Sequence, residues 1–243
     1  MSLKVIYLSL FLFVALFLFN GFVDFADYQL DKVYLTISTF LFSVFNGFFI
    51  SRQSSRYSEI RKGLSRFDAS MSIVYRESSH LDEEEHKAIG VMIRDYYSTI
   101  LKHKDWVYYY FTHKSTLITD LHGSLDTYSK KGMDGLRGES IKGMLRTLDD
   151  MQITRKMLVS LKEETIPRLQ QFFIYALAFM LFLAILTLPS KGLVLASLIK
   201  SVYMITVVTV VILLKKFDNL SLFEGRIGEH SAKDVLSIID GKK

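Results

Sequence analysis

Apolar positions gather in four blocks along the chain, at 5–22, 33–50, 169–188 and 192–214. Each approaches the roughly 20 residues that a membrane-spanning helix requires. The first begins just after Lys4, as a secretory signal would. No A-x-A-like cleavage site follows it, so the segment is expected to be retained as a span. The third block follows Pro167, and "PSKG" joins it to the fourth through a tight hairpin signal. Lys200 alone interrupts the fourth block.

Between the second and third blocks the period changes. Tyr57, Ile60, Leu64, Phe67, Met71 and Val74 recur at spacings of three and four. That spacing predicts one face of a helix continuing directly from the second block. Another helix is predicted from about Asp82. Glu83, Glu84 and Glu85 occupy its first turn, where the helix dipole favours acids, and Ile89, Met92, Tyr96 and Ile100 form its apolar face. Aromatic-rich "DWVYYYF" follows. The four glycines of "GSLDTYSKKGMDGLRGES" predict a loop. A last helix is expected from about Ile141 through Leu145, Leu148, Met151 and Leu158 to a kink at Pro167. No strand pattern and no internal repeat are present. The prediction is an all-α membrane protein with four transmembrane helices, two before and two after a helical insert. Its parts are helices one and two (1–50), the insert (51–168), helices three and four (169–214) and a tail (215–243).

Composition sharpens this picture. Half of the 243 residues are hydrophobic, and they are concentrated in the blocks, whereas charges crowd the middle and the C-terminal end. The absence of cysteine excludes disulfides, thiol catalysis and Cys-ligated zinc. The net charge of +5 is spread among acids, without the dense basic stripe that nucleic acid requires. Basic residues orient the spans. Asp24, Asp27 and Asp31 face a single Lys32 between the first two blocks, which puts that loop outside. Arg52, Arg56, Arg61, Lys62 and Arg66 follow the second block, Arg168 precedes the third, and Lys215 and Lys216 follow the fourth. The insert and both termini are therefore expected in the cytoplasm, with Lys191 and Lys200 as exceptions.

The second block carries unusual chemistry for a span. On a helical wheel with Phe40 at zero, Thr36, Ser43, Val44, Gly47, Phe48 and Ser51 all fall within about 80°. Thr39 and Asn46 lie just beyond, and Phe42, Phe45, Phe49 and Ser38 occupy the far side. Two readings fit this mixed face. Small and hydroxyl residues let membrane helices pack closely. Alternatively, hydroxyls wet a pore wall in which apolar rings at spacing four form a constriction.

Other candidates carry less. "HLDEEEH" holds His80 and His86, but six residues apart they share no helical face, and acids at a helix start are ordinary. His103 and His113 adjoin the aromatic run and suit packing. Asp105 precedes Trp106, the single tryptophan, which suits a core. Asp218, Asn219 and Glu224 suit a helix exit, or the capping or binding of an ion. No Ser-His-Asp set, phosphate loop or H-E-x-x-H is present, so no enzyme, cofactor or metal site is expected.

In order and spacing the chain resembles the bestrophin ion channels, and more closely the bacterial bestrophin-like membrane proteins. "FSVFNGFFISRQSSRY" resembles the family's second span, with an aromatic after glycine and the Arg56–Tyr57 pair further on. "FDASMSIVYRESSHL", "YSTILKHKDW", "TRKMLVSLKEETIPRLQQF" and "FDNLSLFEGRIGEHSAKDVL" resemble later family patterns. The resemblance implies a pentamer whose second span lines a central ion pathway. It places Phe40, Val44 and Phe48 at three hydrophobic neck positions, with Thr36, Ser43, Gly47 and Ser51 beside them. It implies inorganic ions as permeant species, with anions favoured, and a bacterial inner membrane location, multi-pass with cytoplasmic termini. The family's calcium-gated members carry a dense acidic run after the last span. Here only the well-separated Asp218, Glu224 and Glu229 stand there, too few for a high-affinity calcium site. A membrane-anchored interaction or sensory scaffold is the alternative. A solute carrier is weaker, because the second block lacks a broken-helix pattern.

Overall fold

The structure is a computed structural model. It describes residues 3–22, 32–103, 116–130, 132, 134–188, 194–220 and 229–242. Among these the chain is helical, without strands. The elements are α1 (Leu3–Phe22), α2 (Lys32–Ser78), α3 (Glu83–His103), α4 (Leu117–Ser129), α5 (Gly135–Glu163), α6 (Arg168–Leu186), α7 (Val194–Asp218) and α8 (Glu229–Ile239). Contacts divide the chain into two units, Met1–Ser54 with Thr165–Leu222, and Ser55–Glu164 with Phe223–Lys243. Helix α2 contributes its first part to one and its second part to the other.

The first unit holds the apolar helices. Among the described residues, α2, α6 and α7 are long and apolar enough to cross a membrane, and α1 adds the apolar stretch Leu10–Phe22. Their core forms where Phe42 of α2 meets Leu177, Leu181 and Ile185 of α6 and Met204 and Val207 of α7. A second cluster joins Phe49, Ile166, Ile174 and Leu214. Hydroxyl side chains let α1 approach α7 closely. Asn20 Nδ2 donates to Ser201 Oγ at 3.1 Å, and Ser197 Oγ donates to the Asn20 carbonyl at 3.3 Å.

The second unit is built from the second part of α2 with α3, α4, α5 and α8. Ile60, Leu64, Phe67, Met71 and Val74 are buried, as their spacing predicts. Tyr57 at the head of that series is half-buried. Complete burial of such side chains stabilises by about 1.5–3 kcal/mol each. Helix α5 contributes Ile141, Met144, Leu148, Met151 and Leu158, and α8 contributes Ala232, Val235 and Ile239.

Three expectations are corrected. The glycine-rich stretch is mostly helix, because α4 runs to Ser129 and α5 starts at Gly135. Leu121, Leu125 and Tyr128 bury one face of α4, while Gly123 points outward. Periodicity there outweighs glycine content. The turn itself calls for glycine, with Gly132 at φ 128° and Gly135 at φ 59°. The buried face of α3 is Ile89, Ile93, Tyr97 and Ile100 rather than one through Met92 and Tyr96, which are half-buried. The rotation brings Gly90 against the Tyr75 ring and the Tyr97 hydroxyl onto Asp68. Finally, Pro167 does not kink a continuous helix. Helix α5 ends at Glu163, residues 164–167 are not helical, and α6 begins afresh at Arg168.

Two mid-helix glycines test this packing. A Cβ on Gly63 would stand 2.7 Å from Leu158 Cδ2, whereas one on Gly123 would meet nothing within 4 Å. Gly63→Leu is expected to overpack the α2–α5 contact and to cost about 1–3 kcal/mol. Gly123→Ala is expected to gain about 0.5–1 kcal/mol. Thermal unfolding of the detergent-purified protein checks both, and a fall for Gly63→Leu with a rise for Gly123→Ala is the expected pair.

Candidate functional site

Helix α2 is packed on one side only within the first unit. Ser38, Phe42, Asn46, Phe49 and Gln53 are buried and define the packed side. They lie about 120° to 180° from Phe40 at about 100° per residue. On the opposite side Phe40, Val44 and Phe48 are 64%, 51% and 58% exposed. Thr36, Ser43, Gly47 and Ser51 are exposed there as well. All seven residues singled out from the sequence thus share one uncovered face. The far side divides differently from expectation. Phe42 and Phe49 are core residues, but Phe45 remains 40% exposed. Asn46 belongs to the packed side, where its Nδ2 donates to the Phe42 carbonyl at 2.7 Å. A Cβ on Gly47 would meet nothing within 4 Å, so packing inside the unit does not require glycine there.

The packed side leads to a polar junction at Asp218, a residue that sequence reasoning left between a helix exit and the capping or binding of an ion. Asp218, at the last position of α7, is buried. Its Oδ1 accepts from the Ile166 N–H at 2.7 Å and from Gln53 Nε2 at 3.5 Å, and its Oδ2 accepts from Gln171 Nε2 at 3.3 Å. Ile166 immediately precedes the N-cap Pro167 of α6. The carboxylate therefore sits at the positive end of that helix, where an anion is favoured. The other end of α6 is met by a cation. Lys200 is buried, and its Nζ donates to the carbonyls of Leu186 and Leu188 at 3.0 and 2.7 Å. A charge within an apolar run is itself a sequence signal for such a role. Asp218 gave only the weaker signal of an acid just after a span.

In the second unit the same logic holds. Arg56 is buried and caps the end of α5, its Nε donating to the Leu161 carbonyl at 2.6 Å and an Nη to the Lys162 carbonyl at 2.7 Å. Asp68 is buried and accepts from the Tyr97 hydroxyl at 2.6 Å. Burial pushes the Tyr57 hydroxyl up to about 12 against the pull of Arg61. Burial, and then the Asp68 carboxylate, push Tyr96 up as well. Both phenols are neutral in ordinary buffers. His86 packs against its neighbours. Its Nδ1 lies 2.7 Å from Ser78 Oγ and its ring stacks on Tyr75 at 4.6 Å. Among the described residues no group of three or more His, Cys, Asp or Glu converges as a metal site. Asp105, Trp106, His113, Lys191 and Glu224 lie outside the described residues, as does the side chain of His103.

Among the described residues the chain is helical, and three of its helices are long and apolar enough to cross a membrane, as in a membrane protein. The chain belongs to the bestrophin-like domain family, which it matches over residues 5–227. That membership points to a membrane-embedded ion channel. A crystal structure of a membrane protein carrying a Leu-to-Ala substitution is similar in fold, with a TM-score of 0.67 over 98% of this chain and 96% of that one, at 9% identity. No curated protein sequence matches the chain.

The caps at the two ends of α6 yield a prediction. Asp218→Ala strands the Ile166 N–H and is expected to cost about 2–3 kcal/mol, a fall in Tm of roughly 4–12 °C. Lys200→Met is expected to cost about 1–3 kcal/mol by stranding two carbonyls. The two losses should add to within about 0.5 kcal/mol, because opposite ends of one helix share no partner. Asp234→Ala on the exposed face of α8 should change stability by no more than about 0.5 kcal/mol. Melting curves of the four variants, the double mutant included, check this.

Proposed function

We propose that the protein is an oligomeric channel, a pentamer, whose α2 helices surround an ion pathway. The carrying observation is the one-sided packing of α2. The face holding Phe40, Val44 and Phe48 is left open by its own subunit while the opposite face is core. Two features add support. The open face carries hydroxyls that wet a wall, and its apolar side chains recur at spacing four, as a dewetting constriction requires. Gly47 has no packing reason within the subunit. In this reading Phe40, Val44 and Phe48 form a hydrophobic neck, flanked by Thr36, Ser43, Gly47 and Ser51. Helices α1, α2, α6 and α7 span the membrane as four helices in two pairs. The parts 1–50 and 169–214 are embedded, and 51–168 and 215–243 are cytoplasmic. The membrane is a bacterial inner membrane with both termini on the cytoplasmic side. Inorganic ions permeate, anions in preference. Past the neck, α2 exposes Arg52, Arg61 and Lys62 against the single acid Glu59, which favours anions near that end.

Reconstitution in a planar bilayer under a KCl gradient tests this reading. Discrete current steps reversing toward the chloride equilibrium potential are expected. Phe40→Ala and Phe48→Ala should each raise open probability or leak several-fold by removing a ring from the constriction. Silence from the wild type and both variants would overturn the channel reading. Steps of unchanged size and frequency in both variants would overturn the neck assignment alone.

A further inference from the structure

Between the start of α6 and the end of α7 lies a cavity of about 160 Å³. Its volume is roughly ten times what one ordered water requires. Gln171, Tyr175, Lys215, Asn219 and the Asp218 carboxylate form its polar wall, and Ile174 and Val211 line an apolar one. The two walls are staggered. Val211 lies one turn deeper along α7 than Lys215, and Ile174 lies nearly one turn deeper along α6 than Gln171. A ligand entering here meets polar groups first and then the apolar run of two membrane-length helices.

Charge identifies the ligand further. Asp218 is the single acid among the described residues of this unit. Its oxygens accept from Ile166, Gln171 and Gln53. Around this end stand Arg168 in the first turn of α6, Lys215 and Lys216 in the last turn of α7, and Arg52 next to Gln53. Lys215 is exposed and forms no ion pair among the described residues. An uncompensated lysine at a membrane surface attracts anionic lipid. Tyr175 is 47% exposed, with an apolar ring and a polar tip suited to the headgroup level.

We propose that this cavity seats the headgroup of an anionic glycerophospholipid. Lys215 and Asn219 hold the phosphate, and Tyr175 and Gln171 stand beside the glycerol. The first acyl carbons lie along Ile174 and Val211. A soluble phosphate compound would gain nothing from those two side chains, and so the lipid is the better occupant. The site is independent of whether ions are conducted.

The test is native mass spectrometry of the full-length, detergent-purified protein, titrated with dioctanoyl-phosphatidylglycerol or dioctanoyl-phosphatidylcholine. Phosphatidylglycerol is expected to bind about tenfold more tightly than phosphatidylcholine. Lys215→Gln should weaken phosphatidylglycerol about tenfold, as expected for loss of one charged hydrogen bond, and phosphatidylcholine less, because choline already offsets the charge of its phosphate. Lys216→Gln, outside the cavity, should bind like the wild type. Asn219→Leu, on an exposed side chain, gives a second variant and should weaken phosphatidylglycerol several-fold. Equal affinity for the two lipids would overturn the proposal, as would unaltered phosphatidylglycerol binding in both Lys215→Gln and Asn219→Leu. Binding of glycerol 3-phosphate at the same concentration as the lipid would replace the lipid with a soluble anion.

Discussion

The structure depends on how α6 is held at both ends by α7. A helix that crosses an apolar medium leaves unpaired N–H groups at one end and unpaired carbonyls at the other. Neither end is tolerated without a partner where water is scarce. Helix α7 supplies both partners with the correct sign. Its last residue, Asp218, takes the N–H before α6, and its buried Lys200 takes the last carbonyls. The rise from Lys200 to Asp218 is about 27 Å, and α6 with its 19 residues is about 28 Å long. The match fixes the register of the antiparallel pair to within about a residue. Both dimensions approach the roughly 30 Å of a bilayer's hydrocarbon core.

That register decides what happens to α2. The pair presents Leu177, Leu181, Ile185, Met204 and Val207 as one surface, and Phe42 docks on it. Phe49 docks on the second cluster beside it, and Gln53 joins the Asp218 carboxylate. These contacts all fall on one side of α2. Its rotation is therefore set, and the face through Phe40, Val44 and Phe48 turns away from its own subunit. A polar, partly hydroxylated face on a membrane helix is tolerable only where another surface or water receives it. The dipole argument extends to the second unit, where the buried Arg56 guanidinium closes the carbonyl end of α5. The buried charges Arg56, Lys200 and Asp218 thus act on helix ends, which explains their tolerance away from water.

Much of the architecture was legible in the chain. Apolar blocks located the membrane-length helices, because a span must be apolar along its whole length. The spacing of Ile60, Leu64, Phe67, Met71 and Val74 gave the inner face of α2, and the wheel isolated the residues that its own subunit leaves uncovered. These succeed because each is a local rule, in which residues three or four apart share a face whatever lies opposite. The glycines misled where a count replaced a pattern. Gly123 sits on the open side of α4 and costs little there, while Leu121 and Leu125 anchor the other side.

Tertiary structure alone decided the rest. No spacing tells that Ile166, near the break before α6, finds its acceptor 52 residues away in Asp218. Nor does any spacing tell that Lys200 reaches back to Leu186 and Leu188 rather than out to water. The face of α3 shifted to Ile93 and Tyr97 because the Tyr97 hydroxyl had an acceptor in Asp68 and Gly90 had a ring to meet in Tyr75. Sequence determined which residues are apolar, which are charged and which share a helical face, because those properties belong to single residues and their near neighbours. Which charge closes which helix end, and which of two plausible faces is buried, depends on partners distant in the chain. Only their meeting in space selects between the options.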